Sequence, residues 1–264
     1  MKSINANLKA LLLLLLFGGL HTAASAQDSK LFSFSPQEGL HLRTEDDRFD
    51  LNLGLRFQEQ LFTTQPVKNG DISDNERLMR RARFLIGGNV FGQASNYFIQ
   101  FDYDQQNYRL SNFEYRWKPT SKLQINIGQL RPQTGRQWWT ISKYFQMVDR
   151  SIVSRYFMVG YDRGMTFSYK NNLFNQSAFK LAGGITHGEG INQQMGAGGL
   201  AYSGRIDVLP FGFFNNNGDI IESDLYREPE PKLSVGTAFY HNQDAHRTQG
   251  MEDLQSMNSI ITTF

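Results

Sequence analysis

The chain has 264 residues, with 27 Lys and Arg, 25 Asp and Glu, and no cysteine. Without cysteine, disulfides and thiolate chemistry are excluded, and so is any zinc site that needs a thiolate ligand. The near balance of charge gives the chain as a whole no attraction to a charged partner.

Residues 1–26 predict a secretory signal. Lys2 and Lys9 give the first residues a positive charge, and Ala10 to Leu20 form an apolar run. Ala24-Ser25-Ala26 then places small residues at a cleavage site. A membrane anchor is the weaker alternative because this apolar run is too short to span a bilayer. We therefore expect cleavage after Ala26, an exported protein, and 25 basic against 25 acidic residues in the mature chain.

Positive charge is concentrated in the middle of the chain. Residues 77–163 hold 14 basic and 5 acidic side chains, whereas residues 27–76 have 5 against 10 and residues 164–264 have 6 against 10. The local excess of +9 favours a small anionic partner, and a solvated basic surface is the alternative.

Apolar and polar residues alternate in four consecutive runs between Arg81 and Gly128, with short polar breaks. This period of two predicts an antiparallel meander. Further strands are predicted at Phe49–Phe62, Tyr161–Lys170, Phe179–Thr186, Leu200–Val208 and Leu233–Tyr240. Polar loops are predicted at Thr63–Glu76, Pro210–Pro231 and Asn242–Asn258.

Two architectures fit this alternation. In a soluble sandwich the apolar residues form the core, whereas in an outer-membrane barrel they face lipid and the polar residues line an aqueous lumen. Export, low mean hydropathy and alternating short and long connections favour an all-β, antiparallel transmembrane β-barrel of about 10–12 strands. We expect a lead-in over residues 27–48 and the barrel over residues 49–264. The predicted lipid-facing set is Phe84, Ile86, Tyr97, Phe101, Tyr115, Ile125 and Phe167.

Between Arg136 and Arg150 the period changes from two to helical. Apolar residues fall on one side of the predicted helix and basic residues on the other: Trp138, Ile141, Phe145 and Val148 against Arg136, Lys143 and Arg150. We expect residues 129–157 to fold inward as a constriction loop, with the basic stripe facing the lumen. An external lid is the alternative.

Catalytic patterns are absent from the sequence. The mature chain keeps His41, His187, His241 and His246, without an H-E-x-x-H zinc pattern, a G-x-S-x-G elbow or a phosphate-binding P-loop. We therefore expect no enzymatic activity, no cofactor and no metal, and export argues against a nucleic-acid partner.

Four short motifs resemble the phosphate-selective porin O and P family of outer-membrane channels: Arg80-Arg81-Ala82-Arg83-Phe84, Gly128-Gln129-Leu130-Arg131, Asp149-Arg150-Ser151 and Asp162-Arg163-Gly164. The resemblance extends from about Phe49 to Tyr240. It implies a trimeric, sixteen-stranded barrel in the outer membrane of a Gram-negative bacterium, with arginines and lysines that guide anions. By matching position, Arg81 and Arg83 would be lumen arginines, and Arg131, Arg136 and Arg150 would belong to the constriction. Lys143, from the basic stripe, and Arg163, from the last motif, complete the predicted set.

Two departures from the family pattern limit this resemblance. Pro132-Gln133-Thr134-Gly135 stands where the family usually continues with x-Pro-Phe-Gly, so we expect the entry of the loop to differ. The chain offers fewer strands than sixteen, so we expect a truncated sequence, and a complete smaller barrel is the alternative. The predicted function is passive diffusion of small anions such as phosphate or polyphosphate. The alternatives are an outer-membrane barrel enzyme of the lipase or protease type and a secreted, soluble β protein that binds a ligand.

Overall fold

A computed structural model describes residues 31–36, 39–64, 74–104, 107–174, 176–194, 199–243 and 259–263. The predicted signal, residues 1–26, lies outside the described residues, as do most of the predicted 242–258 loop and part of the 27–48 lead-in. The chain divides into two compact units, one made of Met1–Gln93 and Asp102–Tyr108, the other of Ala94–Phe101 and Arg109–Phe264.

The described residues form one antiparallel sheet whose twelve strands follow each other in chain order. The strands are β1 Phe32–Ser35, β2 Gly39–Arg43, β3 Asp50–Thr64, β4 Asp74–Asn89, β5 Ser95–Asp104, β6 Asn107–Trp117, β7 Leu123–Leu130, β8 Asp162–Asn172, β9 Ala178–Thr186, β10 Ala201–Leu209, β11 Val235–Asn242 and β12 Ser259–Thr263. The all-β, antiparallel prediction is confirmed. The sheet order starts at β1 and ends at β12 without returning to β1, so closure into a barrel stays a prediction.

Strand boundaries differ from the prediction at one loop. Thr63–Glu76 was expected to be a loop throughout, but β3 continues to Thr64 and β4 begins at Asp74. Thr63 pairs with Asn75 and Thr64 with Asp74, because backbone pairing extends the hairpin into a polar sequence that shows no alternation. The predicted lead-in likewise contains two short strands, β1 and β2.

Helices are short and lie outside the sheet. Among the residues that the structure describes, they are α1 Arg136–Trp139, α2 Ile152–Tyr156 and two 3-10 turns at Ser142–Tyr144 and Asn215–Ile220. In the described part of the chain, no helix combines the length and the apolar character needed to cross a membrane.

The continuous helix predicted for residues 136–150 is wrong. Thr140 and Ile141 adopt extended backbone angles, with ψ of 125° and 138°, and Phe145 does the same with ψ of 141°. Both residues at the first break are β-branched, which disfavours helix, and no side chain caps the start of α1 at Gly135. The basic residues spaced by seven therefore do not share one helical stripe.

In the second unit the two faces of the sheet differ sharply in burial. The face that carries Tyr115, Ile127, Met165 and Ile185, here called the apolar face, is exposed, and cross-strand register joins these residues in one row. The face that carries Glu114, Asn126 and Thr166, the polar face, is buried. Phe113 is 52% and Phe167 is 50% exposed, whereas their polar neighbours Glu114 and Thr166 are 8% and 1% exposed. This is the reverse of a soluble protein, in which apolar side chains fill the core.

The first unit shows the same inversion. Leu55, paired with Phe84 across β3 and β4, is 67% exposed, and Arg81, paired with Gln58, is only 8% exposed. The register shifts between Gln58 and Glu59. A β-bulge of this kind adds one residue to one strand of a pair, so the alternation of faces is locally interrupted there.

Two glycines shape the apolar face. Gly183 and Gly204 are direct cross-strand partners. A Cβ atom at Gly183 would lie 2.7 Å from the ring of Phe167, and one at Gly204 would lie 2.2 Å from the ring of Phe239. The two phenyl rings therefore lie over backbone that only glycine leaves accessible.

Among the described residues of the second unit, buried apolar side chains form two small clusters. Trp138, Tyr161 and Ile191 form one, and Val159, Ala201 and Tyr240 form the other. The first cluster lies in connecting segments, and the second joins Val159 of the β7–β8 connection to Ala201 on β10 and Tyr240 on β11, so both clusters position loops.

Replacing Gly128 by alanine tests a close strand contact. Gly128 has φ of +137°, and an added Cβ would lie 2.1 Å from the carbonyl oxygen of Phe113. We expect Gly128→Ala to lower the free energy of unfolding by about 1–3 kcal/mol, measured by urea unfolding followed through tryptophan fluorescence. Gly135→Ala is the control, since its added Cβ meets no atom within 4 Å. Equal unfolding midpoints for the two variants would contradict the strand geometry.

Candidate functional site

Three basic side chains on the polar face of the second unit are held in ion pairs. Arg205 Nε donates to Asp207 Oδ2 at 2.7 Å, and its Nη2 donates to the other carboxylate oxygen. Lys180 Nζ lies 2.7 and 2.6 Å from the two carboxylate oxygens of Asp219. Arg116 pairs with Glu114. Such pairing is required because an isolated buried charge costs several kcal/mol.

A cavity of about 410 Å³ opens on this face, and its charged lining is mostly basic: Lys118, Lys122, Arg136, Lys170, Lys180 and Arg205 against Asp207 and Asp219. Two of the six cations are the ion-paired Lys180 and Arg205. The side-chain charges of Lys118, Lys122, Arg136 and Lys170 have no ion pair within the described residues. Six cations and two carboxylates leave an excess of four positive charges, which makes the cavity attractive to anions.

The segment between β7 and β8, residues 131–161, lies against the polar face. Arg205 Nη1 donates to the carbonyl oxygen of Thr134 at 2.8 Å. Gln133, Arg136 and Trp139 line the basic cavity together with residues of β7 to β10. The β7–β8 segment therefore occupies space in front of the polar strands.

Two predicted site residues, Arg131 and Arg150, hold this segment in shape. Arg131 donates to the Tyr161 hydroxyl at 3.1 and 2.8 Å and to the carbonyl oxygen of Trp138 at 3.2 Å. Arg150 donates to the carbonyl oxygens of Gln137 and Thr140, both at 3.2 Å. Both guanidinium groups also stack on the Trp138 ring, at 5.1 and 5.0 Å from its centroid. The N–H groups of both arginines thus bind acceptors within the protein, and the two residues position the segment.

A second segment, residues 210–234 between β10 and β11, meets the first. Gln137 Nε2 donates to Glu222 Oε1 at 2.7 Å, and the backbone N–H of Gln146 donates to Glu222 Oε2 at 2.8 Å. A hydrogen bond with the Tyr144 hydroxyl raises the pKa of Tyr226. Asp219, which belongs to the β10–β11 segment, binds Lys180 on β9. The β10–β11 segment is therefore fixed both to the sheet and to the β7–β8 segment.

The remaining predicted residues are dispersed. In the first unit, Arg81 donates to Gln58 Oε1 at 2.5 Å, and Arg83 pairs with Asp102 at 2.9 Å. In the second unit, Arg136 lines the basic cavity, and Lys143 is exposed with its ammonium group 4.7 Å from the Tyr144 ring centroid. Of the seven predicted residues, Arg136 is the one whose charged group lines this cavity in the described part of the chain.

Arg163 lies on the other face of the sheet. It pairs with Gln129 and alternates with Asp162, which is buried, so it shares the exposed face with Met165 and Phe167. This placement corrects the assignment of Arg163 to the lumen or constriction. The physical reason is the period of two, since Arg163 has the same parity as the apolar residues that follow it.

Sequence reasoning missed Lys170, Lys180, Asp219 and Glu222. Arg205 and Asp207 alternate visibly with Ile206 and Val208, and that alternation could have placed them on the polar face. Lys180 and Asp219 are 39 residues apart, and no local pattern connects them. Within the described residues, no group of three or more His, Asp or Glu side chains could hold a metal ion.

Replacing Glu222 by alanine tests the contact between the two segments. Removing the carboxylate leaves the Gln146 amide without its acceptor, and a hydrogen bond to a charged group contributes about 1.5–3 kcal/mol. We expect hydrogen–deuterium exchange at the Gln146 amide to become roughly tenfold faster. Glu230→Ala, a change at an exposed carboxylate of the same segment, should leave this rate unchanged. Equal protection in both variants would show that Glu222 does not join the segments.

Neither a scan against protein-family models nor a search of curated proteins gives a match for this chain. The resemblance to the phosphate-selective porin O and P family therefore stays a prediction from four short motifs. The burial pattern and the basic cavity are the observations on which a functional proposal depends.

Proposed function

We propose that this protein is an outer-membrane channel for the passive diffusion of small anions, related to the phosphate-selective porin O and P family. The observation that carries the proposal is the inverted sheet, with apolar side chains exposed and polar side chains buried. A soluble ligand-binding protein would place large side chains such as Phe113 and Phe167 inside, whereas both are about half exposed.

Strand length supports placement of the apolar face in lipid. Strands β6 and β8 have 11 residues each, and β9 and β10 have 9 each. A tilted transmembrane strand needs about 9–11 residues. Apolar partners repeat across these strands in register, as in the row Ile125, Phe167 and Gly183, which gives a continuous band for acyl chains.

Buried polar groups support an aqueous polar face. Asn112 Oδ1, Thr186 Oγ1 and Ser203 Oγ find no protein partner within the described residues. Buried polar atoms without a protein partner are normally satisfied by water. Polar atoms enclosed in this way fit a water-containing interior better than a packed apolar core.

The basic cavity supports selectivity for anions. Lys118, Lys122, Arg136 and Lys170 offer positive charge without a carboxylate partner, so an anion that leaves bulk water there regains part of its hydration energy from them. Arg136 adds a planar fork that matches two oxygens of an oxyanion such as phosphate or polyphosphate.

The β7–β8 segment is proposed to be the constriction rather than an external lid. Its contact with Arg205 places Thr134 against the polar strands, and Arg131 and Arg150 stiffen the segment around Trp138. The β10–β11 segment narrows the same space through Asp219. The family resemblance adds a homotrimer and the outer membrane of a Gram-negative bacterium to the proposal.

The membrane placement is tested by charge on the apolar face. An arginine near the middle of a bilayer costs roughly 2–4 kcal/mol on a lipid-facing strand, so Phe167→Arg should reduce the folded, heat-modifiable fraction after insertion into lipid vesicles. Gln124→Arg is the matched control, because Gln124 lies on the polar face opposite Ser168. Equal folded fractions would contradict the assignment of the two faces.

Anion selectivity is tested in planar bilayers with the triple variant Lys122→Gln, Arg136→Gln and Lys170→Gln. We expect the wild-type reversal potential in a KCl gradient to indicate anion preference and the variant to shift towards zero. The shift should be larger at about 0.01 M salt, where the Debye length is about 30 Å, than at about 1 M salt, where it is about 3 Å and screening is strong.

Arg155→Gln serves as the control for this experiment. Arg155 is an exposed cation on α2 outside the cavity, and its removal should leave the reversal potential unchanged. Wild-type protein that forms no channels, or channels without anion preference, would overturn the proposed function.

A further inference from the structure

The apolar face of the second unit becomes polar along one row of residues. This row lies near the end of the strands at which β7 runs into the β7–β8 segment. Gln129 and Arg163 are cross-strand partners, and the backbone N–H of His187 donates to the carbonyl oxygen of Arg163 at 2.9 Å. The adjacent row, Ile127, Met165 and Ile185, is apolar and about half exposed. A polar row with one cation thus borders an apolar band.

A hollow of about 680 Å³ lies across this border. Phe113, Ile127, Met165 and Ile185 form its apolar part, and Arg163 and His187 lie at its polar rim. A second hollow, of about 730 Å³, continues along the apolar face over Gly183 and Gly204 and shares Ile185 with the first. Both hollows are shallow, and together they form an open groove that is apolar along its length and cationic at one end.

Arg163 is the charged group available at this rim. Its side chain is exposed and makes no hydrogen bond or ion pair within the described residues. The neighbouring amides are already engaged, because Gln129 Nε2 donates to the carbonyl oxygen of Leu110 at 2.8 Å and to Asn192 Oδ1 at 3.1 Å. A ligand at the rim therefore meets a fixed polar wall and one free guanidinium group.

We propose that this groove binds a lipid that carries a phosphate on its headgroup, with the phosphate on Arg163 and an acyl chain over Ile127, Met165 and Ile185. This inference depends on the proposed function, because it requires the apolar face to lie in a bilayer. Charge complementarity selects the occupant: an apolar chain alone leaves Arg163 unpaired beside lipid, and a free anion leaves the groove unfilled. Guanidinium is the side-chain group best matched to phosphate oxygens.

The test uses the full chain purified in mild detergent and native mass spectrometry with two lipid probes, phosphatidic acid and diacylglycerol, which share acyl chains and differ in the phosphate. We expect the wild type to retain phosphatidic acid in preference to diacylglycerol, and Arg163→Gln to lose roughly fivefold of that preference. This change corresponds to about 1 kcal/mol for one arginine near an anionic headgroup. Arg163→Lys, which keeps the charge, should restore part of the preference.

Arg155→Gln is the matched control, since it removes an exposed arginine on α2, outside the groove. Undiminished preference in Arg163→Gln, or an equal loss in Arg155→Gln, would overturn the lipid site. Release of phosphatidic acid by inorganic phosphate would show a free-anion site and would also overturn it. Failure of the proposed function can be distinguished from failure of the lipid site. If the apolar face did not lie in a bilayer, the chain would remain in the aqueous fraction without detergent and form no channels.

Discussion

The cross-strand register of the second unit is the constraint on which the other features depend. Because side chains alternate between faces with a period of two, a slip of one residue would exchange every apolar and polar position on a strand. The pairs Ile127 with Met165 and Asn126 with Thr166 fix β7 against β8, and Asn126 Nδ2 donates to Thr166 Oγ1 at 3.0 Å. The separation of an apolar face from a polar one follows from this register.

A buried polar face must also manage its own charge. Arg205 and Asp207 neutralise each other from alternate positions of one strand, whereas Lys180 is neutralised by Asp219 from a connecting segment. These pairs let basic residues stay beneath the β7–β8 and β10–β11 segments, and the four unpaired cations surround them. Ion-paired and unpaired charges are thus adjacent but distinct, since among the described lining residues only the unpaired cations are free to meet an anion that enters the cavity.

The sequence predicts most strands because alternation is local: the predicted Tyr161–Lys170 and Leu200–Val208 correspond to β8 and β10. The alternation around Arg163 is equally visible in the sequence and places it with the apolar residues. The resemblance of Asp162-Arg163-Gly164 to the porin family led to the opposite assignment. The segment after Arg136 could not be predicted, since its path is set by contacts such as Arg150 with the Gln137 carbonyl rather than by helical period. The partnership of Glu222 with Gln137 spans 85 residues and has no local pattern.

Chain-order pairing has a kinetic consequence. Each strand pairs with its neighbour in sequence, so most strand pairs form by closing short loops, which is fast and entropically inexpensive. The pairs β7 with β8 and β10 with β11 close across the two long connecting segments. The contacts that fix the two connecting segments join residues 39 to 85 apart, as in Lys180 with Asp219 and Gln137 with Glu222. These contacts depend on strands that are already aligned. We therefore expect the segments that narrow the polar face to be the last part of the second unit to become ordered, after a stage in which the polar face of the sheet is still open.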